Sequence, residues 1–237
     1  MKYIKKGKPP KQLKDWMRVN NDVPDAQYGT HGFPKGEVKD ALINEQGHLC
    51  AYAMVPIVAT TSHIEHIKPR TISRAQDALG ETWDFENLLA CYPGSDPNAV
   101  GRNQFGATKK DKTWDEERFV SPLHESCESR FCFTVDGGVS ARNEKDAAAF
   151  WSIRTLGLDC GVLEEWRRAA IEAFGVSLAA PNPLKRSEAE RLRKSIRKRR
   201  RDGSFHGYCV AVAHAAEEYI ALLDKRAKKR QYAAKGK

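Results

Sequence analysis

Apolar residues return along the chain with two different periods. Leu13, Trp16 and Met17 recur at helical spacing just after Pro9-Pro10, and Val38, Leu42 and Ile43 mark an amphipathic helix that should stop at Gly47. Leu49 to Thr61 is rich in Tyr, Val and Ile, with Pro56 inside it, and predicts a β-hairpin. A second hairpin is predicted where Phe119 to Val139 alternates around Gly137-Gly138. The helical period then resumes. Ala147, Phe150, Trp151, Arg154 and Leu158 line up in a helix that Asn143 or Glu144 should start; Leu163, Trp166, Ala170 and Phe174 follow in another after Gly161. Val212, Ala216, Tyr219 and Leu223 define the last helix, and the basic tail from Lys225 is predicted to fray. Residues 20–34 and 93–103 read as loops and 175–183 as a linker. Helices flanking short β segments give an α+β class that is mainly helical.

Charge sharpens this picture. The 237 residues, 41% apolar, can bury one sizeable core or two small ones, and a net charge of +9 favours a polyanionic partner. That charge is concentrated: Lys185 to Arg201 holds ten basic residues against two acidic ones, with only Leu184, Leu192 and Ile196 as an apolar stripe. A run so unbalanced repels itself unless an anion is near, so Arg197, Arg199 and Arg200 are predicted to meet nucleic acid or an acidic protein surface. Six cysteines without paired spacings, and an opening without a charged-plus-apolar leader, predict a reducing cytoplasm. No run approaches the roughly 18 apolar residues of a membrane span.

The candidate chemistry lies in His63-Ile64-Glu65-His66-Ile67-Lys68-Pro69-Arg70 and in Trp83-Asp84-Phe85-Glu86-Asn87-Leu88-Leu89-Ala90-Cys91. Two imidazoles and a carboxylate within four residues suit the cleavage of a phosphodiester, which needs a base for water and a divalent cation such as Mg²⁺ on the phosphate. On an extended backbone His63 and Glu65 share a face and Glu65 and His66 oppose. Lys68 and Arg70 offer charges for phosphate, as do Arg102, Lys109 and Lys110 beyond the 93–103 loop. Asp84 or Glu86 should open a short helix with Phe85, Leu88 and Leu89 inward, and the Asn87 amide can orient an imidazole. Strand, long loop, Asn-bearing segment and further helix are the order of a ββα-metal nuclease finger.

Several spaced motifs agree with that reading. Met1-Lys2-Tyr3-Ile4-Lys5-Lys6-Gly7, Gly47-His48-Leu49-Cys50-Ala51-Tyr52, His63 to His66, Asn87 to Cys91, Ser121-Pro122-Leu123 and Cys127 to Phe131 together resemble the HNH endonuclease family, in the branch found beside retrons and in Septu anti-phage systems. The resemblance implies that Glu65 binds the metal, His66 is the general base and Asn87 orients it; His63, on the Glu65 face, is a further ligand and catalytic candidate from its spacing. It implies a nucleic-acid substrate, DNA by default and RNA possible, and a partner ATPase in a defence operon, with retron components. The predicted layout is a basic arm and docking helix (1–35), the HNH core (36–142) and a helical region with a basic helix (143–237).

The departures from the family pattern carry equal weight. Ala53 and Phe105 stand where zinc thiolates are expected, and Ala107 where the final metal-binding histidine is expected. Cys50 and Cys91 cannot close a tetrahedral zinc site alone, so apolar packing should replace the structural ion unless His48 or His63 is recruited. The missing histidine keeps a second function open, a catalytically degenerate subunit that binds nucleic acid or bridges it to the ATPase.

Overall fold

The computed structural model describes residues 1–235, with side chains as far as Tyr232. Helix α1 (Lys11–Asn20) follows Pro10 and buries Leu13 and Trp16; Trp16 meets Phe33 and Trp83 edge-on at 5.2 and 5.5 Å. Helix α2 (Lys35–Glu45) buries Val38, Leu42 and Ile43. It ends where Gly47 takes a left-handed φ of +61°, and a Cβ there would stand 2.4 Å from the Phe205 ring.

The predicted hairpin over Leu49–Thr61 is cut down to its first residues. One antiparallel bridge, Leu49 to Pro56, closes a tight turn in which Cys50 N donates to Val55 O and Met54 N to Cys50 O. Every residue from Cys50 to Val55 is buried, so no solvent-facing set exists for a half-buried ladder.

Strand β1 (His63–His66) pairs antiparallel with β2 (Leu88–Cys91), His63 opposite Cys91 and His66 opposite Leu88. Between them lie α3 (Arg70–Ala75) and two 3₁₀ turns, Leu79–Thr82 and Phe85–Asn87. Asp84 caps the second turn through Glu86 N. The predicted short helix is therefore one turn only, and Leu88 and Leu89 are strand residues, both fully buried. The far edge of β2 is completed by a side chain. Buried Gln46 donates from Nε2 to Leu49 O and Ala90 O, each at 2.8 Å, and accepts from Ala90 N at 2.7 Å. One amide thereby does the work of a strand residue and locks α2 to the ladder.

Helix α4 (Gly106–Lys110) packs on α5 (Ala147–Leu156), which Asp146 caps, not Asn143 or Glu144. Gly157 permits the approach: its φ is +57°, and a Cβ would fall 2.2 Å from Gln104 O. The second hairpin is β3 (Phe131–Phe133) and β4 (Val139–Ala141) around Gly137-Gly138, shorter than predicted because residues 125–130 wind into a 3₁₀ turn around buried Cys127. Helix α6 (Gly161–Ala173), α7 (Arg186–Ser195) and α8 (Cys209–Lys235) complete the chain. The first half of α8 is core, with Val210 to Ala213 wholly buried, and α6, α7 and β3 pack on it. The tail predicted to fray from Lys225 is helical to Lys235; Gly236 and Lys237 lie outside the described residues. Among the described residues no helix is long and apolar enough to cross a membrane.

The Gln46 clamp makes a checkable demand. Gln46→Ala would strand a buried Ala90 N–H, so urea denaturation should show a loss of about 2 kcal/mol or more, against under about 1 kcal/mol if the strand edge can find water.

Candidate active site

Strand β1 stops pairing after Ile67 N donates to Asn87 O, and the chain turns away at Pro69. Asn87 fixes that turn. Its Oδ1 accepts from Lys68 N at 2.8 Å, while Nδ2 donates to Lys68 O at 3.2 Å and Glu81 O at 2.9 Å. The amide joins both ends of the β1–β2 excursion, and its hydrogen bonds do not reach the His66 ring. What orients His66 is the next carbonyl along: its Nε2 donates to Thr82 O at 3.0 Å, and the Tyr28 ring meets it edge-on at 4.7 Å. Asn87 thus acts on His66 at one remove, through the backbone of Glu81 and Thr82.

That bond decides the tautomer. A carbonyl can only accept, so the neutral ring carries its proton on Nε2 and leaves Nδ1 as a base. Burial, with 6% of the residue exposed, pushes the His66 imidazole down to about 4; the Thr82 bond opposes this and Arg70 and Lys110 add to it. The ring is neutral throughout the physiological range.

Glu65, across the strand, is occupied. Its Oε1 accepts from Lys110 Nζ at 2.9 Å, and the same ammonium donates to His66 O at 3.1 Å. Burial raises the Glu65 carboxyl, and Lys110, then His63, draw it back. Lys110 is 0% exposed. The sequence reading of Lys110 as a surface cation for phosphate is therefore corrected: α4 turns Gly106, Ala107 and Lys110 inward together. His63 donates from Nδ1 to Pro93 O, which frees its Nε2. It borders two clefts. One, of about 290 Å³, is lined by His63, Glu65, His66, Arg70, Asp111 and Lys112; the other, of about 740 Å³, by Tyr28, Lys35, Lys39 and Arg102 among others.

These residues do not fit the divalent ion that the resemblance implies. Among the described residues no three His, Cys, Asp or Glu side chains are placed to hold a metal, and the Glu65 carboxylate already faces an ammonium. The zinc positions tell the same story. Cys50 and Cys91 are buried neighbours; burial would raise the Cys50 thiol, yet Cys91 and the N–H groups of Ala53, Tyr92 and Tyr52 bring it to about 7, while Cys91 is pushed well above its usual value. Ala53 is in the core, and the Phe105 ring stacks parallel to Tyr92 at 5.8 Å and edge-on to Trp166 at 5.8 Å.

The remaining basic candidates divide. Arg70 is exposed, with its guanidinium 5.1 Å from the Tyr28 ring centroid, and Lys109 is exposed on α4. Lys68 is paired with Glu81 at 2.7 Å, and Arg102 is tied to the carbonyls of Gly94 and Asp96. Arg197, Arg199 and Arg200 lie beyond the end of α7 and border neither cleft. Arg199 caps α2 through the carbonyls of Asn44 and Glu45, Arg200 bonds Ser204 and Asp202, and Arg197 faces Glu128 at 3.7 Å. They hold the protein's own acceptors, which a count of charges does not reveal. Tyr28 and Thr82 were missed entirely, because an edge-on ring and a backbone carbonyl leave no motif.

Beside this geometry, with His-x-Glu-His on β1 and Asn87 leading into β2, the chain is similar in sequence to a protein whose name joins the HNH endonucleases to retrons. The protein that supports this is the "Retron Vc95 putative HNH endonuclease" of Vibrio cholerae serotype O1 biovar El Tor, 28% identical over 170 residues, 69% of this chain and 78% of the relative. No family model matches the chain.

The buried imidazole predicts a pH response. From 6.5 down to about 4 the unfolded chain takes up a proton that folded His66 refuses, so stability should be full above that window and fall through it; His214, also lowered to about 4 by burial, adds to the effect. A two-dimensional NMR titration should give a His66 midpoint near 4, and a midpoint near 6.5 would refute the placement.

Proposed function

We propose that the chain is an HNH-type nuclease that hydrolyses nucleic-acid phosphodiesters, DNA in the first instance with RNA open, and that β1, β2 and α4 form its ββα finger. The observation that carries this reading is the His66 ring, held neutral with Nδ1 unprotonated beside a cleft that Arg70 and Lys112 border. Nδ1 takes a proton from water as its oxygen attacks phosphorus, the bond to the leaving oxygen breaks with that oxygen taking a proton from solvent, and the imidazolium then returns its own proton to solvent. Arg70 and Lys112 hold the phosphate oxygens, and Asn87 keeps Thr82 under the imidazole. The relative's name supports the nuclease class and the retron link. An effector role in anti-phage defence with a partner ATPase rests on the resemblance to that branch alone. Divalent dependence belongs to the family pattern, and no step here is routed through an ion.

A degenerate, binding-only subunit is the second reading, favoured by Ala107 and by the ammonium seated on Glu65. Plasmid DNA and total RNA incubated with the chain, alone and with the proposed partner ATPase, separate the two. His66→Ala should lower cleavage by at least about 100-fold while circular dichroism shows the chain folded; cleavage retained by that variant sinks the assignment, and no cleavage under any condition selects the second reading. Arg70→Glu should weaken nucleic-acid binding and reduce its salt dependence, measured by fluorescence anisotropy across a salt series.

A further inference from the structure

We infer that Lys110 supplies the cation of this site, so that Glu65 serves as its counter-ion and positioning partner and does not ligate a divalent metal. Three observations converge. The Lys110 ammonium is fully buried, and the acceptors around it are an acidic oxygen and a carbonyl, Glu65 Oε1 at 2.9 Å and His66 O at 3.1 Å, the oxygen set a hard cation would seek. The position one helical turn earlier on the same inward face is Ala107, whose methyl offers no ligand atom. Among the described residues no three His, Cys, Asp or Glu side chains are grouped so as to hold an ion, and the nitrogens that His63 and His66 leave free are not joined there by a second carboxylate.

An ion on the free oxygen of Glu65 would stand close to an ammonium that has nowhere to go. Like charges in a buried pocket repel strongly, and expelling Lys110 would leave a buried charge without its partner. The same lysine explains how the chain tolerates the loss at 107. It neutralises Glu65, satisfies the His66 carbonyl at the end of β1, and fixes α4 against the strand with no ion present.

The inference concerns the site of the nuclease reading and rests on it only for the site's role; its test does not depend on cleavage. Metal-free full-length protein is titrated with Mn²⁺ and the free ion followed by electron paramagnetic resonance, for the wild type, Glu65→Gln, Lys110→Met and the double variant. Wild type and Glu65→Gln should bind Mn²⁺ equally, within twofold, whereas Lys110→Met should gain one ion that the double variant loses. Thermal melting supplies the second readout. Lys110→Met leaves a buried carboxylate unpaired, so the double variant should melt at a higher temperature than Lys110→Met; should Lys110→Met fail to fold, a folded double variant gives the same answer. A wild-type site that takes up one Mn²⁺ and loses it at least tenfold in Glu65→Gln overturns the inference, as does a double variant no more stable than Lys110→Met. An active chain with such a site would refute this inference and keep the nuclease reading; an inactive chain without one would do the reverse.

Discussion

A lysine ammonium shut away from water must have an anion, and that requirement organises the centre of the molecule. Lys110 finds Glu65, and to do so α4 has to lie against β1. Gly157 must then be bare so that α5 can come up behind α4, and the chain between β2 and α4 must fold back far enough to bring Phe105 under Tyr92. A buried pair of this kind contributes little net stability compared with apolar packing of the same volume, but separating its members is expensive, so it specifies one arrangement more than it strengthens it.

The parts of the fold that depend on local pattern were legible. His63 to His66 lie on the strand their spacing suggests, and the helices carrying Val38, Leu42 and Ile43 and carrying Leu163 are visible in their periodicity. What remained hidden depends on partners far away in sequence. Nothing near Leu49 says that Gln46 will occupy the edge of β2, so the stretch to Thr61 looked like a strand pair. Nothing near Asn87 says that its amide will bind the two ends of a loop and leave the imidazole to Thr82. Lys110 could have been found: once Ala107 is assigned to an inward position, a residue three further along a helix shares its face.

Part of the charge has a structural use. The run from Lys185 to Arg201 is the most basic stretch of the chain, and three of its arginines also hold the protein's own acceptors: Arg199 caps α2, Arg200 braces the 200–204 turn and Arg197 faces Glu128. Arginine carries five donors in a rigid fork, which suits carbonyls at a helix end as well as it suits phosphate. Beside His66, Arg70 and Lys112 border the same cleft, whatever the net charge of the whole chain.

The aromatic ring at position 105 changes what the fold responds to. A tetrahedral ion ties folding free energy to the free-ion concentration and to the protonation of its thiols, so that a chelator or mild acid becomes a denaturant. A Phe ring between Tyr92 and Trp166 ties it to the hydration of carbon surface, which has a large heat capacity and is indifferent to chelators. The hub that joins β2, α4 and α6 therefore answers to temperature where a metal-built hub would answer to supply, and a cell starved of trace metal would still have it.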